Sequence, residues 1–298
     1  MKKITYVLVF ILVLLGSVLG IWKIVQYSHE EEIRITSNPW VGFTPFMYAQ
    51  EKGWLEDTPF KFIWLVDLSD NARLFEKGFA EGFTATQFEY MHFKHKEDLT
   101  TIFLIDQSYG ADAILSNRTL EVLRKSDEKI KVYLERGSFN QDMFDAFIAE
   151  NKLNKNKFLL IDSSQKSLET NSKTKKPAIM ISYEPYISKI KKNGFNTIAS
   201  TRTLKTFHAI DALFAKESSF EKHPEAYQQL KDVFDRALAQ MRKDPKEFYI
   251  TISGYLEGES YEDFLLSTQQ IMWLDKDVPS YITQTLKQQN IPTDKLLQ

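Results

Sequence analysis

The chain has 298 residues, enough for one large core or two lobes, and its formal net charge of −2 points to no polyanionic partner such as nucleic acid. It contains no cysteine, which excludes disulfides, thiolate metal sites, cysteine nucleophiles and the lipid-modified cysteine that tethers many envelope proteins. Aromatic residues make up 13%, a share that suits a packed α/β protein and aromatic-lined pockets.

Met1-Lys2-Lys3 precedes an uncharged apolar run from Ile4 to Trp22, closed by Lys23. This is a secretory signal peptide or a signal anchor. The run is long enough to span a bilayer, which takes about 20 apolar residues, and Trp22 and Tyr27 suit the far interface. Val18-Leu19-Gly20 is a poor cleavage site, so length and aromatic flank favour an uncleaved anchor over 1–27, with a polar tether at 28–32. In either case the remainder is exported.

Ile33-Arg34-Ile35-Thr36 alternates as a short strand. The loop Ser37–Phe43 follows, carrying Trp40 and Gly42, and then a helix with Thr44 as N-cap, Pro45 at its first position and Gly53 as its stop. Lys61–Val66 reads as a second strand, and Ser69 caps a helix over Asp70–Lys77 that Gly78 ends. A third strand lies within 79–85, and Thr86 with Glu89 forms a capping box for a helix reaching His95. Thr101–Ile105 is the next strand, and Asp106–Leu115 reads as a crossing into a second lobe.

That lobe repeats the pattern. Lys131–Leu134 is a strand, and Ser138 caps a helix with Phe139, Met143, Phe144, Phe147 and Ile148 at helical spacing. Lys157–Ile161 and Pro177–Ser182 are strands, while Ser163–Lys176 is a polar, lysine-rich loop or short helix without a clear place. Pro185 opens a helix that Gly194 closes, and Ile198–Thr201 and Phe207–Lys216 return the chain to the first lobe. From Ser218 onward the pattern is all helix, with Leu230, Val233, Phe234, Ala237, Leu238 and Met241 on one face of 224–243.

Strand–helix alternation in two blocks with two crossings predicts an α/β protein of two parallel-type sheets. The first lobe is expected from 33–110 plus 212–298 and the second from 111–211, with Ala111–Ile114 and Phe207–Leu213 side by side. Helix caps at strand ends (Thr44, Ser69, Thr86, Ser138 and the Glu184-Pro185 turn) outline a cleft, because open sheets bind ligands at their carboxyl edges.

Trp40, Gly42, Pro45, Ala49 and Gly53 after a first strand resemble the bacterial solute-binding proteins of the nitrate, sulfonate and taurine uptake systems. Thiamine-precursor binders and related enzymes share that fold. The resemblance extends over Lys77-Gly78, Gly137-Ser138, Tyr183-Glu184-Pro185-Tyr186, Ile210-Asp211-Ala212-Leu213 and His223-Pro224-Glu225. It implies a two-lobed periplasmic-binding-protein-like fold of type II that holds a small-molecule ligand and no cofactor. The implied partner is an inner-membrane ABC permease, and the implied location is the bacterial periplasm or cell envelope, with residues 4–22 anchoring the chain to the inner membrane. The loops matching the family's pocket supply Trp40, Gly42, Thr44, Thr84, Thr86, Ser138, Phe139, Tyr183 and Glu184 as ligand-binding candidates.

Charged residues leave the ligand's sign open. Glu184, Asp67 and Asp112 either serve as caps or meet a cationic group, and two of them facing the cleft favour an amine or heterocycle over nitrate. Arg136 and Arg202 are the alternatives for an anion. His92, His95 and Glu89 share a helix face but lack a fourth metal ligand, so a polar helix face is the preferred reading. No nucleophile elbow, phosphate loop or dinucleotide fingerprint is present, and the clustered cysteines and histidines of the pyrimidine-synthesising relatives are missing. The chain therefore reads as a non-catalytic binding protein. The rival readings are an anchored sensor for a signalling receptor and, more remotely, a pyrimidine-synthase-like enzyme.

Overall fold

In a computed structural model, the structure describes residues 32–66, 68–93, 98–256 and 258–297. The apolar run 4–22 lies outside them, as do Asp67 and His95. Among the described residues no helix is long and apolar enough to cross a membrane.

Among the described residues eleven strands form where short apolar runs end in turn residues: β1 (Ile33–Ser37), β2 (Phe60–Trp64), β3 (Gly82–Thr86), β4 (Leu99–Ser108), β5 (Asp112–Ser116), β6 (Ile130–Leu134), β7 (Phe158–Asp162), β8 (Ala178–Tyr183), β9 (Asn196–Ser200), β10 (Ile210–Lys216) and β11 (Ile271–Trp273). They make two sheets. The first is ordered β11-β4-β10-β3-β1-β2 and the second β7-β6-β8-β5-β9. Strands β3, β4, β5 and β8 are buried at every residue, as expected where helices cover both faces of a sheet.

Both sheets are mixed, not uniformly parallel. Parallel pairing holds within the βα units, β1 with β2 and β3, and β6 with β7 and β8. The strands beside the crossings run the other way: β10 is antiparallel to β3 and β4, and β5 to β8 and β9. The two crossings lie side by side. The Ser108 N–H donates to the Ala209 carbonyl at 2.9 Å, and the Thr201 N–H to the Asp112 carbonyl at 3.1 Å. The Thr201 hydroxyl meets the Ser108 hydroxyl and the Gly110 N–H, both at 2.8 Å.

Local signals place most helices where the sequence puts them. Helix 224–243 buries Leu230, Phe234, Ala237, Leu238 and Met241, and its Phe234 ring lies 4.9 Å from that of Phe46 in helix 44–51. Burying each such ring contributes about 1.5–3 kcal/mol. Gly53 and Gly78 end their helices at φ +69° and +76°, in the left-handed region that glycine enters freely. Two of these local expectations need correction. Thr44 does not cap: a 3-10 turn at Val41–Phe43 precedes it, and its hydroxyl donates back to the Val41 carbonyl at 2.7 Å. The segment after 163, a loop or short helix by sequence, contains a helix over 165–171, capped by Ser164. The C-terminal region is not all helical, because Ile271–Trp273 adds an edge strand beside β4.

Candidate functional site

Register assembles the site. Across the first sheet Asp211 of β10 stands opposite Asp106 of β4 on one side and Thr86 of β3 on the other. Across the second sheet Asp112, the first residue of β5, stands opposite Tyr183, the last of β8. Directly opposed residues on neighbouring strands share a face, so each sheet presents a polar row at its edge. The loop after β1 lays Trp40 over the first row. Its indole Nε1 donates to Asp106 Oδ2 at 3.2 Å, and its ring meets Tyr183 edge-on at 5.9 Å between centroids. Gly42 makes this approach possible, since a Cβ there would lie 1.8 Å from Asp106 Oδ2.

Asn38, Trp40, Phe43, Thr86 and Asp211 from the first sheet's side enclose a small cavity with Asp112, Phe139 and Tyr183 from the second. It measures about 10 Å3, room for one water. Several contacts close the two walls on each other. Asn38 Nδ2 donates to the Tyr183 hydroxyl at 3.3 Å. Glu89 Oε2 accepts from the Thr86 N–H at 3.1 Å and from the Thr86 hydroxyl, while its Oε1 accepts from the Phe139 N–H at 2.7 Å. One carboxylate thus ties helix 87–92 to the N-terminus of helix 139–150. His92 adds an ion pair to Asp142 at 3.3 Å, which raises the imidazole pKa to about 9.

The site is acidic. Asp106, Asp112, Asp211 and Glu89 are all buried, and burial is the main cause that raises the pKa of each. For Asp211 the neighbouring Asp106 raises it further, then Asp112 and Glu89; the indole bond to Asp106 opposes the rise there. No lysine, arginine or histidine lines the cavity among the described residues.

No protein-family model matches the sequence, and a search of curated proteins gives no match. Solved structures do match in shape. The ligand-binding component of an ABC-type import system from Staphylococcus aureus, solved with zinc bound, superposes with a TM-score of 0.71 at 14% identity, covering 90% of this chain and 97% of that one. The alkanesulfonate-binding protein SsuA from Xanthomonas axonopodis pv. citri, bound to MOPS, gives 0.68 at 11%, covering 89% and 96%. A Candida albicans protein described as having the generic periplasmic binding protein fold gives 0.68 at 11%, covering 87% and 89%. The fold is that of the periplasmic binding proteins.

Within this binding-protein fold, four of the nine residues expected at the site, Trp40, Thr86, Phe139 and Tyr183, line the cavity. The other five stand behind it. Gly42 supports Trp40 and Asp106, Thr44 bonds its own turn, and the Thr84 hydroxyl pairs with that of Ser37 at 2.7 Å. Ser138 uses its hydroxyl as a helix cap, accepting from the Asn140 N–H and donating to the Glu135 carbonyl at 3.0 Å. Glu184 is buried beside the cis Glu184-Pro185 bond, accepts from the Ser188 hydroxyl at 3.4 Å, and has its pKa raised by burial to about 7. Asp112, weighed in the sequence as cap or ligand contact, faces the cavity. Arg136 is exposed, and Arg202 lies over the Tyr109 ring at 4.9 Å, so neither reaches it. Sequence reasoning missed Asn38 and the pair Asp106–Asp211. The available signal was an acid embedded in the apolar run Ala209–Phe214.

Proposed function

We propose that this chain is a solute-binding protein of the bacterial envelope, with lobes 33–110 plus 212–298 and 111–211 that close over a small polar solute for an inner-membrane ABC permease. The observation that carries the reading is a cavity whose walls come from both sheets, at strand edges where open α/β sheets take ligands. Ligand stabilises the closed form through its contacts to both walls, since equal affinity for open and closed forms shifts nothing. The contacts across the cavity, Trp40 to Tyr183 and Glu89 to Phe139, belong to that closed form.

Carriers and enzymes both use open α/β sheets, so the site's own chemistry must speak for binding. The lining offers carboxyls, hydroxyls, an amide and aromatic rings, with neither a histidine base nor a lysine among the described residues. The apolar run 4–22 and the lack of cysteine favour a second reading, an anchored sensor that reports occupancy to a signalling receptor. Permease genes beside this one support transport, and a signalling-enzyme gene supports sensing. The direct test is mass spectrometry of small molecules released from natively purified protein, followed by calorimetric titration of the identified compound. Trp40→Phe, which removes the indole N–H, should weaken binding by roughly 1–3 kcal/mol. Unchanged affinity would place the site elsewhere.

A further inference from the structure

The cavity's lining carries buried acids whose oxygens the protein does not fully supply with hydrogen-bond donors. Asp112 is 2% exposed, lines the cavity and bonds Ser108, while its Oδ1 has no hydrogen-bond partner among the described residues. Asp106 is fully buried and pairs with the Asp211 carboxyl, and its Oδ1 finds no hydrogen-bond donor among the described residues. Asp211, directly opposite Asp106 in the sheet, also lines the cavity. Burial raises the pKa of all three, so Asp106 and Asp211 meet through a shared proton and not as two charges, yet a buried carboxyl oxygen left without a donor is still costly. Around these groups stand Trp40, Phe43, Phe139 and Tyr183, whose ring faces attract cations.

We propose that the solute is a small organic cation, a protonated amine or amidine, whose N–H groups are received by Asp112 and by the Asp106–Asp211 pair. This rests on the solute-binding reading above and assigns the class of solute. An anion such as nitrate or a sulfonate would meet carboxyl groups, with Arg136 and Arg202 both placed elsewhere. A bare metal ion is poorly served, because no group of three or more acidic or histidine ligands with metal-binding geometry exists among the described residues. An amine or amidine instead supplies several donors in fixed directions, which matches carboxyl oxygens that lack donors. Its organic body would part the walls and pack between the rings.

The test uses the full chain and probes of matched size. Benzylamine and benzamidine are the cations, benzoate and ethanesulfonate the anions, benzyl alcohol the neutral control and zinc chloride the metal. Thermal unfolding and calorimetric titration are followed for each. A cationic probe should raise Tm and bind, and Asp112→Asn, which keeps the shape, should weaken that binding at least tenfold. Asp112→Asn should not lower the Tm of the unliganded chain, which separates lost binding from a lost fold. Binding of benzoate or ethanesulfonate that depends on Trp40 overturns the cationic assignment and leaves solute binding standing. Binding of zinc alone overturns it too. If no probe binds and natively purified protein releases no small molecule, both the assignment and the solute-binding reading fall.

Discussion

Gly42→Ala isolates the packing that builds the site. The new Cβ would lie 1.8 Å from Asp106 Oδ2, 2.8 Å from Asp106 Cγ and 2.6 Å from Trp40 Nε1. Ordinary carbon–oxygen contact needs about 3.5 Å, so the carboxyl must retreat by well over an ångström. That movement breaks its 3.2 Å bond from the indole, leaving a buried N–H and a buried carboxyl oxygen without partners. Overpacking costs about 1–3 kcal/mol and the orphaned groups about 1–3 kcal/mol more. No strain term is added, because Gly42 does not have positive φ. A loss near 3 kcal/mol should lower Tm by roughly 6–12 °C in a chain of this size. Urea unfolding followed by tryptophan fluorescence measures it. Gly254→Ala is the control: nothing lies within 4 Å of its Cβ, and the change should stay within about 0.5 kcal/mol. In an Asp106→Ala background the Gly42→Ala cost should shrink by at least about 1 kcal/mol, since the principal obstacle is gone. A Gly42→Ala protein as stable as wild type would refute the close approach of loop and carboxyl.

Ser138→Ala should cost about 1 kcal/mol of stability in urea unfolding, through the lost helix cap, and should leave solute affinity unchanged because the hydroxyl does not line the cavity. Glu89→Gln puts an amide N–H against one of the donors its carboxylate now accepts, and should cost about 1–3 kcal/mol in the same assay. The unliganded chain should lose stability as pH rises from 5 to 9. Burial lifts Glu184 to about 7 and Glu259 to about 8 from an ordinary 4.5, so the folded chain binds more protons than the unfolded one across that window. His92 acts with the same sign: its contribution is complete below 6.5 and is lost as pH rises through about 9. Thermal unfolding across pH checks this; a maximum near pH 8 would contradict it, and Glu184→Gln should flatten the fall between 5 and 7. Intact-mass measurement of membrane-extracted protein tests the anchor, and a start near Ile21 would remove it while leaving export intact.

Local physics made much of the fold legible. Capping boxes, prolines at first helical positions and glycine stops act over three or four residues, so Thr86 with Glu89, Pro224, Pro245 and Gly194 can be read from the chain alone. Strand direction was not legible in that way. A buried strand reads as the same apolar run whether its neighbour is parallel or antiparallel, and the reversals at β5 and β10 come from crossings whose geometry is tertiary. Three-residue β11 carries too little pattern to stand out from the helices on either side. Trp40, Thr86, Phe139 and Tyr183, carried over from the family resemblance, line the cavity, and each sits at a strand end or helix start. Ser138 carries the same local signal and does not line the cavity, because a cap consumes the hydroxyl that marks it.

The acidic pair shows the opposite case. Asp106 follows an apolar run and reads as the start of the crossing between lobes, but β4 continues through it to Ser108. Asp211 interrupts an apolar run that otherwise predicts a buried strand, and a polar residue there reads as a conflict between local pattern and burial. Only the β4–β10 register sets the two carboxyls opposite each other, and only the loop after β1 brings the indole over them. A chain selected for stability alone would place valine or isoleucine at such positions, since an apolar pair of similar volume avoids the desolvation of two acids. Rules of local consistency fail where a site needs what the core would reject. On that reasoning the residues least explicable as structure, Asp106, Asp211 and Asp112, are the ones whose buried oxygens call for a donor from outside the chain.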